Sequence, residues 1–526
     1  MIESYRNKCA LLLANQGKEK KLSQTEQGKK PLIVIASNRG PFSFTANKNK
    51  TFTPNRGEGG LVTALWSLAE KHDVVWVSSA MDRGDRAWTN HVNGKVQNIE
   101  NISMKMIAHD KWKYNAYYNV ISNPLLWFIQ HQLWDIPRNP SITEETWKAW
   151  NEGYVPINKA FATAISEIIE DTSRPIIILP QDYHLYLVPH FLRQMIGWDV
   201  QIQPFVHIPW PGPDAWRILP GSIRDGILNG LLASDRIGFQ TKKDAFNFVQ
   251  TCRFYLSHTS SRGTRDTIYV KDRPVKAVNY PISVDVEKLT QLQDTAQNQL
   301  EKNQMMNIIQ DRKLILRVDR IEPSKNIVRG LRAYRTLLEN HPEHRGKVQM
   351  LALLVPSRIG VDEYQNYLHD IMAEGGMINA EFSEQLWEPV RIVVGHNYQR
   401  AIAAMELYDV LVVNPIADGM NLVAKEGAFV NQRDGVLVLS EHAGAFYELG
   451  DYAISVSPFD IHGTAEMIHR ALTMPSEERK KRADALRELV QAADVKMWFG
   501  SQVEDALAES KSMAKKAATS PTPSTR

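Results

Sequence analysis

Short apolar runs rich in β-branched residues recur along the chain and alternate with amphipathic, helix-like segments. The runs occupy residues 32–36, 176–179, 204–207, 314–318, 350–355, 390–394, 410–413 and 436–439. Strands that are apolar on both faces are buried on both faces, which is typical of parallel sheets covered by helices. Helical patterns over residues 326–339 and 398–407 separate some of these runs. The alternation predicts βαβ units and an α/β fold.

The length of the chain predicts two domains. A single hydrophobic core stops growing at roughly 250–300 residues, and this chain has 526. A polar stretch rich in Gln and Asn covers residues 285–310 and precedes a new strand, so we place a domain boundary near residue 285. Two doubly wound domains of this kind face each other across a cleft, and ligands bind at the carboxyl ends of their strands.

The ends of the chain are predicted to lie outside the two domains. Residues 1–30 are an N-terminal extension, and the domains span residues 31–285 and 286–480. Residues 481–510 are expected to form C-terminal helices that pack back toward the first domain. Residues 511–526 lack apolar periodicity, which is typical of a disordered tail.

Charge and cysteine content exclude several classes of protein. The chain has 62 basic and 59 acidic side chains, a net charge of +3, and so no nucleic-acid-binding surface is expected. Its two cysteines, Cys9 and Cys252, are far apart, which excludes a disulfide framework and favours a reducing compartment. No run approaches the ~20 apolar residues of a membrane span. We therefore expect a cytoplasmic protein with no membrane partner; homo-oligomerisation stays open.

A glycine-rich segment follows the first predicted strand. Gly57, Gly59 and Gly60 precede the amphipathic segment 61–71, at the start of a predicted helix. Free backbone amides and the helix dipole at such a position suit a phosphate. A tight turn without a ligand is the alternative. The pattern is not Gly-x-Gly-x-x-Gly, so the fingerprint of a dinucleotide-dependent oxidoreductase is absent.

Polar residues follow several other predicted strands. Asp182 and His207 come after two strands of the first half, where their side chains can meet sugar hydroxyls; a purely structural histidine is the alternative. Arg320 and Lys325 follow the first strand of the second half, and two cations on one loop suit a diphosphate. Asp418 precedes a glycine that allows close approach of a ligand. No helical metal-ligand spacing is present, so no metal is expected.

Taken in order, these motifs resemble those of the trehalose-6-phosphate synthases, a family of retaining glycosyltransferases of GT-B fold. The matching motifs are Ser-Asn-Arg (37–39), Gly-Gly-Leu (59–61), Gln-Asp-Tyr-His (181–184), His-Ile-Pro-x-Pro (207–211), Arg-x-x-x-x-Lys (320–325), Asp-Gly-Met-Asn-Leu-Val-Ala-Lys-Glu (418–426) and Leu-Ser-Glu-x-Ala-Gly (439–444). The resemblance runs from about Pro31 to Phe499. It implies two Rossmann-like, doubly wound parallel-sheet domains, the first binding the acceptor and the second the nucleotide sugar.

The resemblance also implies roles for individual residues. Acceptor-binding residues would be Arg39, Tyr118, Trp127, Asp182 and Arg358, with an aromatic ring face for the sugar and arginine forks for its phosphate. Donor-binding residues would be Gly59, Gly60, Arg320, Lys325, Asp418, Gly419, Met420, Asn421, Leu422, Val423 and Glu426, the last on the ribose. Catalytic residues would be Asp182, His207, Arg320, Lys325 and Asp418.

The reaction implied is transfer of glucose from UDP-, GDP- or ADP-glucose to glucose 6-phosphate by a front-face mechanism. The nucleotide sugar is a co-substrate, and neither a cofactor nor a metal is expected. Three departures from the family pattern concern substrate identity: Ala417 replaces an arginine, Glu322 lies in an altered Arg320 loop, and residues 77–81 replace a Gly-Trp-rich acceptor loop. Transfer to glycerol phosphate, coupling of cyclitols and a catalytically silent regulatory protein are the alternatives.

Overall fold

The computed structural model describes residues 30–49, 51–57, 72–170, 172–358 and 360–519, with side chains described as far as residue 509. The extension before residue 30, the predicted phosphate-binding glycines Gly59 and Gly60, the segment 61–71 and residues 520–526 lie outside the described residues. No described helix is both long enough and apolar enough to cross a lipid bilayer.

The first domain contains the strands β1 (Leu32–Ser37), β2 (Phe42–Ala46), β3 (Phe52–Arg56), β4 (Asp73–Ser79), β5 (Gln97–Ile99), β6 (Ile102–Ile107), β7 (Ile176–Pro180), β8 (Gln201–Ile202), β9 (Phe205–Val206), β10 (Arg236–Phe239), β11 (Thr259–Ser260), β12 (Thr267–Val270) and β13 (Arg273–Asn279). One sheet has the order β5-β6-β4-β1-β7-β8 and a second the order β11-β12-β13-β10-β9. A bridge from Gln181 to Phe205 joins them beside β7. Every residue of β1 is buried, as its apolar run predicts.

The helices around these sheets are α1 (Arg83–His91), α2 (Lys111–Asn115), α3 (Trp127–Gln130), α4 (Glu144–Lys148), α5 (Val155–Ile169), α6 (Val188–Ile196), α7 (Gly221–Leu232) and α8 (Lys242–Tyr255). Two π-helical segments, Ala116–Leu126 and Ala149–Tyr154, join α2 to α3 and α4 to α5. Short 3₁₀ turns cover Tyr183–Leu185 and Pro213–Ile218.

The second domain contains the strands β14 (Lys313–Arg320), β15 (Val348–Val355), β16 (Val390–Val394), β17 (Val410–Val413), β18 (Val436–Ser440) and β19 (Ile454–Val456). Their order is β16-β15-β14-β17-β18-β19, and all the pairs are parallel. This is the strand order of a Rossmann sheet, whose topological switch point lies between β14 and β17.

The helices of the second half are α9 (Val286–Gln293), α10 (Ala296–Ile309), α11 (Ile327–Asn340), α12 (Asp362–Phe382), α13 (Tyr398–Leu407), α14 (Leu422–Val430), α15 (Phe446–Leu449), α16 (Ile461–Thr473), α17 (Ser476–Ala492) and α18 (Val495–Thr519). Two 3₁₀ turns cover Pro323–Lys325 and Pro342–His344. The runs predicted as strands in this half all form strands, and the patterns at 326–339 and 398–407 form α11 and α13.

The polar stretch before β14 forms α9 and α10 and packs against α13. Asn298 is buried and donates a 2.6 Å hydrogen bond to Glu406, while Glu301 accepts from Arg400 at 3.0 Å. Buried polar side chains of this kind are stable because they are hydrogen-bonded. The stretch therefore belongs to the second half of the molecule despite its low hydrophobicity.

The last helix, α18, returns to the first domain. The Trp498 indole donates a 2.9 Å hydrogen bond to the Tyr280 carbonyl and packs edge-on against Phe205 at 5.0 Å. Arg236 pairs with Glu509 at 2.7 Å. The helix continues to Thr519, so the structure extends it over residues 511–519, where the sequence predicts a disordered tail.

Candidate active site

Two loops meet at the switch point of the second domain. Lys325 lies after β14 and Asp418 after β17, and their side chains form an ion pair. The Lys325 ammonium is largely buried, and the guanidinium of Arg317 holds its backbone by donating to the Lys325 carbonyl at 2.5 Å. Arg317 also donates to Asn414 at 2.6 Å, and Asn421 donates to Asp418 at 3.0 Å. The structure thus brings together two residues predicted to act on the donor.

The loop after Asp418 packs closely against the first domain. A Cβ atom at Gly419 would lie 1.9 Å from the carbonyl oxygen of His207, so only glycine fits here. Asn421 adopts φ of 72° and caps α14 by accepting a hydrogen bond from the Ala424 amide at 3.2 Å. The first backbone amides of α14 therefore lie at the cleft end of this loop. Backbone amides at a helix N-terminus attract anions.

Glu322 is a buried carboxylate that lies between Arg320, which is predicted to bind the donor, and Arg358, which is predicted to bind the acceptor. Its Oε1 atom forms an ion pair with Arg320 at 3.0 Å and accepts a hydrogen bond from Arg358 at 2.9 Å, and its side chain is fully buried. Burial raises the pKa of Glu322, but Arg320, Arg358 and Lys325 outweigh it and lower that pKa to about 2. Glu322 is therefore ionised at neutral pH. Sequence analysis noted it only as a departure in a loop, because no local pattern shows which cations it meets.

Arg358 crosses the cleft. Its guanidinium donates to Asn123 at 2.7 Å and to Tyr183 at 3.2 Å, both in the first domain, and to Tyr364 at 2.8 Å. Its backbone has φ of 45°, in the left-handed region that a non-glycine residue adopts at a cost of about 1–3 kcal/mol. Asn123 was not identified from the sequence, since its role depends on the docking of the two domains.

Trp127 lies beneath Arg358 and is buried. The Arg358 guanidinium stacks over one ring face at 3.9 Å, and the His131 ring covers the indole at 3.9 Å. Both Arg358 and His131 thus pack against the indole in this structure. Its indole Nε1–H has no hydrogen-bond partner among the described residues, and a buried unpaired donor of this kind is costly unless it meets a ligand or a water.

The remaining predicted acceptor residues surround the same space in the first domain. Arg39 is exposed after β1, and its charge acts on Tyr114. Tyr118 stacks on Tyr114 at 5.7 Å and on His184 at 5.8 Å. The Tyr118 hydroxyl is near enough to Arg358 to influence the guanidinium electrostatically. An exposed arginine, a tyrosine stack and a buried arginine thus line one region of the cleft.

Asp182 and His207 lie at the carboxyl ends of neighbouring strands. Asp182 has φ of 72°, and its Oδ1 atom accepts from the His207 amide at 3.2 Å. Burial raises the pKa of Asp182 to about 7, against the opposing effect of hydrogen bonds and of Arg358 and Arg320. The His207 ring bonds to Gln181 at 2.9 Å, and burial lowers its pKa to about 3, so the ring is neutral. The site therefore places a carboxyl group whose pKa is about 7 beside an uncharged imidazole.

A cavity of about 260 Å³ opens at the carboxyl ends of β14, β15 and β16. Its lining includes Val318, Leu353, Gly395, His396, Asn397 and Arg400. Glu426 lies on the neighbouring α14 and accepts a 2.9 Å hydrogen bond from Tyr398. Sequence analysis missed this cavity, although Gly395 and His396 directly follow a predicted strand. A pocket of mixed polar and apolar lining at this edge of the sheet suits a nucleoside.

The comparisons with known proteins agree with this geometry. Residues 31–508 match the family described as glycosyltransferase family 20. The alpha,alpha-trehalose-phosphate synthase [UDP-forming] of Schizosaccharomyces pombe is 30% identical over 480 residues, which is 90% of this chain and 89% of that protein. Longer relatives also match, and the matched part covers 59% to 62% of their length.

Solved structures show the same fold. The chain is similar to a structure described as "Trehalose-6-phosphate from E. coli bound with UDP-2-fluoro glucose", with a TM-score of 0.78, 27% identity and coverage of 90% of this chain and 98% of that one. It is also similar to an alpha,alpha-trehalose-phosphate synthase (UDP-forming) from Burkholderia xenovorans in complex with glucose-6-phosphate, with a TM-score of 0.77, 28% identity and coverage of 91% and 100%. The predicted GT-B architecture, two Rossmann-like domains across a cleft, is confirmed.

Proposed function

Because the chain belongs to glycosyltransferase family 20, we propose that it transfers glucose from UDP-glucose to glucose 6-phosphate and forms trehalose 6-phosphate with retention of configuration. The observation that carries the proposal is the series of contacts Arg320–Glu322–Arg358–Asn123, which runs from a cation proposed for the donor, through one proposed for the acceptor, to the first domain on the other side of the cleft. The relatives that release UDP and the solved complexes with UDP-2-fluoro glucose and glucose-6-phosphate support these substrates.

The donor is proposed to bind along the second domain. The uridine occupies the cavity beside His396, with Glu426 near the ribose, and the diphosphate lies between Lys325, Arg320 and the first amides of α14. Cations and amides placed before the reaction stabilise negative charge as it grows on the leaving phosphate. Asp418 is proposed to hold the Lys325 ammonium in place and to accept hydrogen bonds from the glucose hydroxyls.

The acceptor phosphate is proposed to bind Arg39, Arg358, Tyr118 and the indole Nε1–H of Trp127. Arg358 is fixed by Glu322, Tyr364 and Asn123, so little side-chain freedom remains to be lost when the phosphate arrives. Two arginines and charge-assisted hydrogen bonds favour a phosphorylated acceptor over a free sugar. Asp182 is proposed to lie between the acceptor site and the transferred glucose, and to accept a hydrogen bond from a sugar hydroxyl.

Transfer is proposed to take place on one face of the donor sugar. Glu322 and Asp418 both pair with cations, so among the described residues of this region Asp182 has no second free carboxyl beside it for a two-step route. The departing phosphate oxygen therefore takes the proton of the attacking hydroxyl, while Arg320 and Lys325 stabilise the phosphate. The paired cations already serve the diphosphate, so we propose that the transfer requires no metal ion.

We also propose the cytoplasm as the compartment of the reaction. Cys252 is a buried free thiol, and no Cys-x-x-Cys spacing occurs in the sequence. Reduced cysteines are typical of that compartment.

A matrix of nucleotide glucoses against phosphorylated acceptors tests the proposal, with products identified by mass and NMR. We expect UDP-glucose with glucose 6-phosphate to give the highest kcat/KM and an α,α-linked product. A higher kcat/KM with glycerol 3-phosphate or a cyclitol phosphate would refute the acceptor while leaving glycosyl transfer in place. No turnover with any pair, despite nucleotide binding, would support the catalytically silent alternative.

A further inference from the structure

Far from the cleft, five imidazole and carboxylate side chains meet between α11 and α16. We call His341, Glu343, His344 and His469 the histidine cluster; Glu466 lies beside it. The cluster precedes β15, whereas the substrate loops follow the carboxyl ends of the strands. A strand rises about 3.3 Å per residue, so the length of β15 places the cluster roughly 25 Å from the cleft. It is outside the site described above.

The spacing of the donor atoms fits one small cation. His341 Nδ1 lies 3.5 Å from Glu343 Oε1, and His469 Nδ1 lies 4.0 Å from the same oxygen. Both distances exceed those of a good hydrogen bond. Ligands bonded to zinc at about 2.0–2.1 Å in a tetrahedron lie about 3.3–3.4 Å apart. The rings of His341 and His469 are stacked, so one of them has to rotate out of the stack to bring these three atoms onto one ion.

The other nitrogen of His341 is held by a second carboxylate. Nε2 lies 3.0 Å from Glu466 Oε1. A carboxylate accepts hydrogen bonds, so Nε2 carries the hydrogen and the Nδ1 lone pair of the neutral ring points toward Glu343. This arrangement of carboxylate, histidine and metal recurs in metal sites, where the outer carboxylate fixes the tautomer of the ligand.

His344 lies next to this group of three. It is buried, and its Nε2 atom shares one hydrogen with His469 Nδ1 at 3.0 Å. The rings of His341 and His469 are stacked at 3.7 Å. A metal ion bound to both nitrogens would replace the shared proton, and metal binding in proteins commonly releases protons.

We propose that the histidine cluster binds one divalent transition-metal ion of the zinc class. Two imidazoles and one carboxylate, with a third imidazole beside them, form a set that suits zinc, cobalt or nickel better than magnesium or calcium, which prefer oxygen ligands. The ion joins the end of α11 to α16 and so stabilises the second domain. It lies outside the catalytic cleft, and its removal leaves the rate of transfer unchanged.

Calorimetric titration of Zn²⁺ into the full chain, freed of affinity tag and stripped with EDTA, tests the proposal. We expect one Zn²⁺ per chain and a rise in Tm on binding. His341→Ala and His469→Ala should abolish this binding, and Glu466→Gln should weaken it by about 10–100-fold, the usual effect of losing an outer carboxylate. His462→Ala, an exposed histidine on the same helix, is the matched control and should bind as the wild type does.

Glu343→Gln keeps the test decisive if a histidine variant fails to fold. The Glu343 side chain is 55% exposed, so its replacement does not disturb a core. It should fold normally and bind Zn²⁺ more weakly than the wild type. The proposal is overturned if the stripped wild type shows no saturable binding, or if His341→Ala and Glu343→Gln bind with wild-type affinity and stoichiometry.

Discussion

Replacing Glu322 with Gln removes the buried negative charge between the donor and acceptor cations while keeping the shape of the side chain. The folded protein lowers the pKa of Glu322 from 4.5 to about 2. A shift of one unit corresponds to about 1.4 kcal/mol, so ionised Glu322 contributes on the order of 3 kcal/mol to folding at pH 7. Glu322→Gln should therefore lower the free energy of unfolding by about that amount.

The pH dependence of this difference has a definite sign. A carboxyl whose pKa falls on folding stabilises the protein above its unfolded pKa and loses that contribution as pH falls toward its folded pKa. The free energy of unfolding of Glu322→Gln should lie below that of the wild type by the full amount, on the order of 3 kcal/mol, above pH 5. This difference should fall to about 2 kcal/mol at pH 3.5. Urea unfolding of both proteins at several pH values measures it.

Glu322→Gln should also raise KM for both substrates, because Arg320 and Arg358 lose the group that orients them. Glu374→Gln is the matched control: it removes a carboxylate that is buried in the same domain but pairs only with the half-exposed Arg332 among the described contacts. Its cost should be about 1 kcal/mol or less, with both KM values unchanged. Equal stability of Glu322→Gln and wild type at pH 7, with unchanged KM values, would refute the coupling argument.

Four further outcomes follow from the site. Lys325→Ala should lower kcat by about 10²–10³, since the lost cation acts most strongly on the leaving diphosphate; steady-state kinetics with saturating donor measures it, and near-wild-type turnover removes Lys325 from the mechanism. Arg39→Ala should raise KM for glucose 6-phosphate far more than KM for the donor, whereas equal changes in both would place Arg39 elsewhere. Gly419→Ala should force the loop away from the His207 carbonyl and cost about 10²-fold in kcat/KM, as displacements near 1 Å do; solution scattering should show a less compact particle with both substrates, and a wild-type profile would contradict this. Turnover of the wild type should survive excess EDTA, and loss that only a divalent ion restores would show that a metal serves the diphosphate.

The sequence by itself determined the α/β class and the places where chemistry follows a strand. Apolar runs are a local signal, because a strand that helices cover on both faces of a parallel sheet reads as a near-continuous apolar run. Strands β14–β18 and helices α11 and α13 were therefore predictable from the sequence pattern, whereas the short β19 was not predicted. Residues such as Lys325, Asp418 and Asp182 follow these runs directly, and the motif order indicated the family.

Only the tertiary structure decided which side chains meet. Strand order places Lys325 beside Asp418 at the switch point, and domain docking places Arg358 on Asn123 and buries both faces of Trp127. The histidine cluster joins His344 to His469, 125 positions apart. Such contacts have no local signature, because the energy of a buried ion pair or a stacked ring depends on a partner supplied by another strand, helix or domain. Glu322 shows the difference most clearly: its position after β14 could be read from the sequence, but its charge is stable only because Arg358 from another loop joins Arg320 and Lys325 around it.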